Sequence, residues 1–153
     1  MPYSLSSEKP LDIVIYGATG FTGQLVAEYM HAQYANTDVK WAIAGRSADK
    51  LNLIKSQLGL SETLPIIIAD SQDEAALREL VQQTKVVITT VGPYQLYGDT
   101  LVSLCAELGT DYVDLCGEPS WMRQKIDALQ TKAEASGARI VFSCGFDSIP
   151  FDL

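Results

Sequence analysis

Short apolar runs bounded by turn residues alternate along the chain with longer stretches in which apolar positions recur every three or four residues. The runs Asp12 to Tyr16, Val39 to Ala44, Leu64 to Ala69, Lys85 to Thr90, Tyr112 to Leu115 and Ala138 to Ser143 are mostly β-branched or aliphatic, the pattern of strands covered on both faces. The stretches Thr22 to Ala35, Ala48 to Leu58, Asp73 to Thr84, Thr100 to Leu108 and Ser120 to Ser136 carry the helical period, with Leu25, Val26, Tyr29 and Met30 expected on the buried face of the first. Ser47, then Ser71 or Asp73, then Asp99 stand where helix N-caps are wanted, and Gly59, Gly109 and Gly137 follow helix ends. Such strand-helix units build an α/β fold around a doubly wound parallel sheet. Right-handed crossovers predict strand order 3-2-1-4-5-6 with helices on both faces, and a ligand crevice at the carboxyl ends where the order reverses between strands one and four.

Composition narrows what such a fold would bind. At 153 residues, 47% hydrophobic and 20% charged, the chain suits one domain with a sizeable core. Its net charge of −8, with no run of lysine or arginine, would repel nucleic acid and an anionic membrane alike, so neither is expected as a partner. Met1 to Pro10 has neither the basic start nor the apolar centre of a signal peptide, and no apolar run approaches the ~18 residues of a membrane span, so a cytoplasmic location is expected. Cys105, Cys116 and Cys144 are odd in number and lack metal-ligand spacing, which predicts no disulfide framework and no metal site. The segment from Cys144 to Leu153 opens as if into a helix and stops without a cap. Residues 1–153 are accordingly read as the N-terminal part of a longer chain, with the substrate-holding region and any homo-oligomer contact beyond it.

The chemistry concentrates in the first turn. Gly17-Ala18-Thr19-Gly20-Phe21-Thr22-Gly23 follows the first strand directly and opens the first helix, the context that gives a glycine pattern meaning. Gly17 permits the tight turn, Gly20 lets the backbone approach a diphosphate, and Gly23 lets the helix lie close to the strand, while helix-end amides face the anion. This is a Rossmann dinucleotide site. At the end of the second strand, where an acidic residue would bind a ribose 2′-hydroxyl, stand Gly45-Arg46-Ser47. A five-donor guanidinium with a hydroxyl beside it favours a 2′-phosphate, hence NADP over NAD. Asp70, at the end of the third strand, is placed to accept from the adenine amino group or else is an ordinary turn aspartate. Gly92-Pro93-Tyr94, after the fourth strand, would cross the pyrophosphate and nicotinamide ribose. Gly117-Glu118-Pro119 and the loop from Cys144 to Ser148 either border the nicotinamide or supply helix caps, with Pro150 an early helical residue. His31, the single histidine, is read as structural, and no Tyr-x-x-x-Lys pair occurs.

GATGFTG, WAIAGRS, ITTVGPYQLYG, GTDYVDLCGE and CGFDSIPFDL, in this order, resemble the N-terminal domain of saccharopine-dehydrogenase-like oxidoreductases, including the trans-acting enoyl reductase branch. The resemblance spans almost the whole chain and implies cofactor contacts at Gly17, Thr19, Gly20, Phe21, Thr22, Arg46, Ser47, Gly92 and Pro93. It implies an NADP-dependent oxidoreductase passing hydride between the nicotinamide and a small-molecule substrate, with residues 1–153 alone binding cofactor without useful catalysis. The ending FDSIP departs from true saccharopine reductases, which argues against saccharopine as substrate. Two other readings stay open: an NADP-sensing regulator without catalysis, and a semialdehyde or acyl-phosphate reductase with Cys144 as nucleophile.

Overall fold

A computed structural model describes residues 9–145 of the chain. Six parallel strands form one sheet: β1 (Leu11–Tyr16), β2 (Trp41–Gly45), β3 (Ile66–Ile68), β4 (Thr84–Thr89), β5 (Asp111–Asp114) and β6 (Ile140–Val141). Their order is β3-β2-β1-β4-β5-β6, the doubly wound arrangement expected from the sequence. Ile13 to Tyr16 pair with Trp41 to Ala44 on one side and with Val86 to Thr89 on the other, so β1 is central and β2 and β4 flank it. The edge strands β3 and β6 are shorter than the apolar runs that announced them, because each has a neighbour on one side only.

The helices are α1 (Phe21–Tyr34), α2 (Ala48–Gln57), α3 (Glu74–Gln83), α4 (Tyr94–Tyr97), α5 (Asp99–Leu108) and α6 (Pro119–Ser136). Period-two alternation along the strands builds two cores. Val14 and Tyr16 of β1 with Ala42 and Ala44 of β2 face α3, α5 and α6. Ile13 and Ile15 with Trp41 and Ile43 face α1 and α2. Leu77, Leu80 and Leu101 are wholly buried in the first core, where truncation of such a side chain to alanine costs ~2–5 kcal/mol.

Several local expectations are corrected. Leu25 and Tyr29 are exposed, and the buried face of α1 is Gly23, Ala27 and Met30, because small residues let this helix approach the sheet closely. Asp99 does not cap a helix: it is the first residue of α5, and its carboxylate accepts from Trp121 Nε1 at 2.6 Å and pairs with Lys125. Asp73, not Ser71, caps α3 by accepting from Ala76 N, and Ser47 caps α2 by accepting from Lys50 N. Among the described residues no helix is long and apolar enough to cross a membrane. Phe146, Asp147, Ser148 and Pro150, named above as candidates, lie outside the described residues.

Candidate functional site

A cleft of roughly 330 Å³ opens where the strand order reverses, across the carboxyl ends of β1, β2 and β4. Gly17, Thr19 and Gly20 form its floor, Gly45 and Arg46 its β2 side, and Thr90, Val91, Gly92 and Tyr97 its β4 side. The turn is tight for identifiable reasons. Gly17 has φ +89°, and a side-chain carbon there would meet Val91 Cγ2 at 2.5 Å and Thr90 Oγ1 at 2.9 Å. At Gly23 a Cβ would overlap the Gly17 carbonyl oxygen and stand 2.8 Å from Ala18 Cα, so α1 leaves the strand at this angle only with hydrogen in that place. Gly20 differs from both: its nearest neighbour to a Cβ is Gly17 O at 3.5 Å, and the fold itself leaves that space open.

Hydrogen bonding shows what the turn leaves unsatisfied. The amides of Gly17 and Ala18 donate to Ala44 O, and that of Gly20 to Gly17 O. For the amides of Phe21, Thr22 and Gly23 no protein acceptor is found among the described residues, and Gly20 supplies no side-chain cap. Three donors at a helix start beside a side-chain-free Cα make a cradle for an anion. Arg46 is exposed and, among the described residues, has no carboxylate partner. A free guanidinium therefore faces the same cleft from β2. These features suit a nucleotide bearing a diphosphate and a further phosphate.

Other candidates fall differently. Phe21 is 83% exposed, Thr22 is exposed and Gly23 is buried; all three follow Gly20 in the first turn of α1, just outside the residues that line the cleft. The Ser47 hydroxyl is engaged in capping α2, and Pro93 is exposed at the start of α4, both just outside the cleft lining. Asp70 closes a turn by accepting from Gln72 N at 2.9 Å, and its neighbour Ser71 lines the cleft instead. Tyr94 is buried: its hydroxyl donates to Thr89 O and accepts from Leu115 N, and its ring lies 5.6 Å from that of Trp121. It anchors the wall from behind.

Tyr16, Ser71, Thr90, Val91 and Tyr97 line the cleft without having been expected there from the sequence. Tyr16 ends β1 and Thr90 directly follows β4, the signal that the crevice rule offers. The Tyr16 hydroxyl donates to Ala69 O beneath the cleft, and burial, then the nearby Asp70 charge, raises its pKa well above the usual phenol value. Thr90 Oγ1 bonds the carbonyls of Tyr16 and Gly17, tying β4 to the glycine turn.

Next to the cleft, Asp114 is buried at the end of β5 and accepts from Tyr112 OH at 2.6 Å and from the amides of Cys116 and Ser143 at 2.9 Å. Burial raises its pKa, and these bonds partly offset the rise. Cys144 is exposed, and its thiol is pushed up by partial desolvation and by the Asp114 charge. An activated nucleophile needs the opposite shift, which removes the support for a Cys144-based reductase. A larger hollow of about 430 Å³, lined by Leu11, His31, Tyr34, Trp41, Leu64 and their neighbours, lies at the opposite end of the strands and contains none of the glycine turn.

Comparison with known proteins agrees with this arrangement. A trans-acting enoyl reductase of Mycobacterium ulcerans (strain Agy99) is 45% identical over 149 residues, 97% of this chain and 35% of its own length. A trans-acting enoyl reductase of Mycobacterium tuberculosis (strain ATCC 25618 / H37Rv) is 45% identical over 148 residues, 96% of this chain and likewise 35% of its own length. The chain thus spans about a third of the length of these relatives. Among solved structures, saccharopine dehydrogenase (L-Glu forming) of Saccharomyces cerevisiae superposes with TM-score 0.72 at 20% identity, covering 90% of this chain and 28% of that one. The leucoanthocyanidin reductase–NADPH complex of Vitis vinifera superposes with TM-score 0.59 at 20% identity, covering 86% of this chain and 48% of that one. These two matches show the fold. The model of the saccharopine dehydrogenase NADP binding domain matches residues 13–141, and the chain belongs to that family.

Proposed function

We propose that this chain is the cofactor-binding domain of an NADP-dependent oxidoreductase and that it holds NADP across the carboxyl ends of β2, β1 and β4. One observation carries the reading: among the described residues the amides of Phe21, Thr22 and Gly23, beside the bare Cα of Gly20, have no acceptor, and the Arg46 guanidinium on the cleft has no carboxylate partner. The diphosphate would lie on the amides, and Arg46, with Ser47 beside it, would take the 2′-phosphate. Thr19 and Gly92 would border the pyrophosphate and the nicotinamide ribose, with Pro93 and Tyr94 setting the course of that wall. Asp70 would then serve the adenine side by shaping the turn that presents Ser71.

When bound, the cofactor supplies a hydride at C4 of the nicotinamide. This chain's residues bind the phosphates, orient the dinucleotide and close one side of the cleft against water. The name shared by the mycobacterial relatives favours an activated carbon–carbon double bond as the acceptor, held by a further region of a longer protein. Relatives nearly three times as long support that division of labour. Three free cysteines suit a reducing compartment, and we read the protein as cytoplasmic.

Calorimetric titration with NADPH and NADH tests the assignment. The chain should bind NADPH more tightly than NADH, and Arg46→Ala should weaken NADPH by ~1.5–3 kcal/mol, the worth of hydrogen bonds to a charged group, while leaving NADH nearly unchanged. Equal losses for the two cofactors would refute a 2′-phosphate at Arg46.

A further inference from the structure

Glu118 immediately precedes α6, where an acidic residue ordinarily caps the helix it introduces. Its carboxylate does something else, because α6 starts at Pro119 with no side-chain cap. Oε2 accepts from Tyr94 N at 2.6 Å and Oε1 from Gln95 N at 3.1 Å. Both amides belong to α4, in the connection that follows β4, so one carboxylate bridges the loops after two adjacent strands.

That connection is the β4 side of the cleft. Its near end is fixed by Thr90, which bonds the carbonyls of Tyr16 and Gly17. Gly92 and Pro93 are exposed; Pro93 O accepts from Leu96 N and Tyr97 N of α4, and among the described residues neither bonds to an element outside this connection. Gly92 and Tyr97, which line the cleft, therefore take their place from the buried Tyr94 and from the Glu118 carboxylate beyond it. Glu118 does not line the cleft itself. A bare carboxylate at the rim would repel phosphates, whereas one satisfied by two amides is turned away from them and held.

We propose that Glu118 is a positioning residue: its carboxylate sets the Gly92–Tyr97 wall against which the nicotinamide half of the cofactor lies, without touching the cofactor. The inference rests on the reading of the cleft as an NADP site. Because β2 and β4 flank β1 on opposite sides, a dinucleotide with its 2′-phosphate at Arg46 must extend its nicotinamide half toward this wall. Loss of the carboxylate should thus affect one half of the ligand and spare the other.

The test compares wild type, Glu118→Gln and Glu118→Ala in binding NADPH and adenosine 2′,5′-bisphosphate, which carries the Arg46-facing phosphate but no nicotinamide. Glu118→Ala should raise the NADPH Kd about tenfold, as two charge-assisted bonds are lost, and Glu118→Gln, which keeps one acceptor, should raise it less. The bisphosphate should bind all three proteins within about twofold, as expected for a surface-level change far from its phosphates. The fluorescence of bound NADPH at saturation should move toward that of free coenzyme in the alanine variant, and the Tyr94 and Gln95 amides should exchange faster with solvent in both. Unchanged NADPH affinity in both variants overturns the proposal and leaves the NADP site standing. Equal loss of the two ligands also overturns it, since Glu118 then supports the fold at large. If wild type binds neither ligand, the NADP reading itself fails and this inference with it. Should the alanine variant not fold, the near-isosteric glutamine variant gives the same comparison.

Discussion

Adding one methyl group at Gly20 and one at Gly23 perturbs the same turn, three residues apart, with opposite consequences. Gly20 has an ordinary extended backbone, φ −76° and ψ 169°, and a Cβ there would touch only Gly17 O at a van der Waals distance of 3.5 Å. Exchange of glycine for alanine at this N-cap costs under about 1 kcal/mol, offset by a similar entropic gain from the stiffer unfolded chain, so stability should stay within about 0.5 kcal/mol. A phosphate oxygen about 2.9 Å from a neighbouring amide would occupy the space of that methyl, and NADPH affinity should fall at least about tenfold. At Gly23 the added carbon would overlap backbone atoms of Gly17 and Ala18, which cannot rotate away. Overpacking of ~1–3 kcal/mol at its upper end, less about 1 kcal/mol of helix propensity, leaves about 2 kcal/mol of destabilisation, or roughly 4–8 °C in Tm. Thermal unfolding followed by circular dichroism, paired with calorimetric titration, reads both effects. A Gly20→Ala protein that melts as early as Gly23→Ala, or one that binds NADPH like wild type, would refute the reasoning.

The remaining expectations concern the groups around the cleft. Of the three thiols only Cys144 is exposed, so a soluble disulfide reagent should modify one equivalent in the folded protein and three after unfolding; its raised pKa makes the rate climb with pH to values above the ordinary thiol range. Two or three fast equivalents in the native state would contradict the burial of Cys105 and Cys116. Asp114 has a folded-state pKa above its unfolded value, so its contribution to stability is complete below about pH 4, the ordinary carboxyl range, and is lost as pH rises through the folded pKa. Urea unfolding should therefore show Asp114→Asn gaining on wild type as pH rises toward neutrality; a difference that moves the other way would mean the carboxylate is stabilised when ionised. Asp73→Ala should cost ~1 kcal/mol through loss of the bond to Ala76 N, read as a lower urea midpoint at unchanged slope.

What the sequence made legible was what repeats or has a strict local cause. β1 and β2 give buried residues to both cores and read as continuous apolar runs, while Gly23 answers to contacts within the turn itself and Gly17 to its positive φ and the adjacent Thr90 and Val91. The helix α4 escaped notice because four residues hold no period and because its N-terminus is satisfied by Glu118 from another loop. Apolar residues misled on α1, where Leu25 and Tyr29 are exposed and the contact face is Gly23, Ala27 and Met30, its first two small enough to bring the helix close to the sheet. Acidic residues beside helix starts misled for a related reason: Asp99 and Glu118 look like caps for their own helices, yet their partners are Trp121, Lys125, Tyr94 and Gln95. A side chain's partner across the fold has no local signature.

Backbone amide spectra of the isotope-labelled chain, recorded as NADPH is added, test the dinucleotide cleft most directly. Resonances of Gly17 to Gly23, of Gly45 to Ser47 and of Val91 and Gly92 should shift together and saturate with one Kd, and NADH should move the Gly45 to Ser47 group far less. Shifts confined to the hollow around His31, Tyr34 and Trp41, or no shifts in the glycine turn at saturating NADPH, would contradict it.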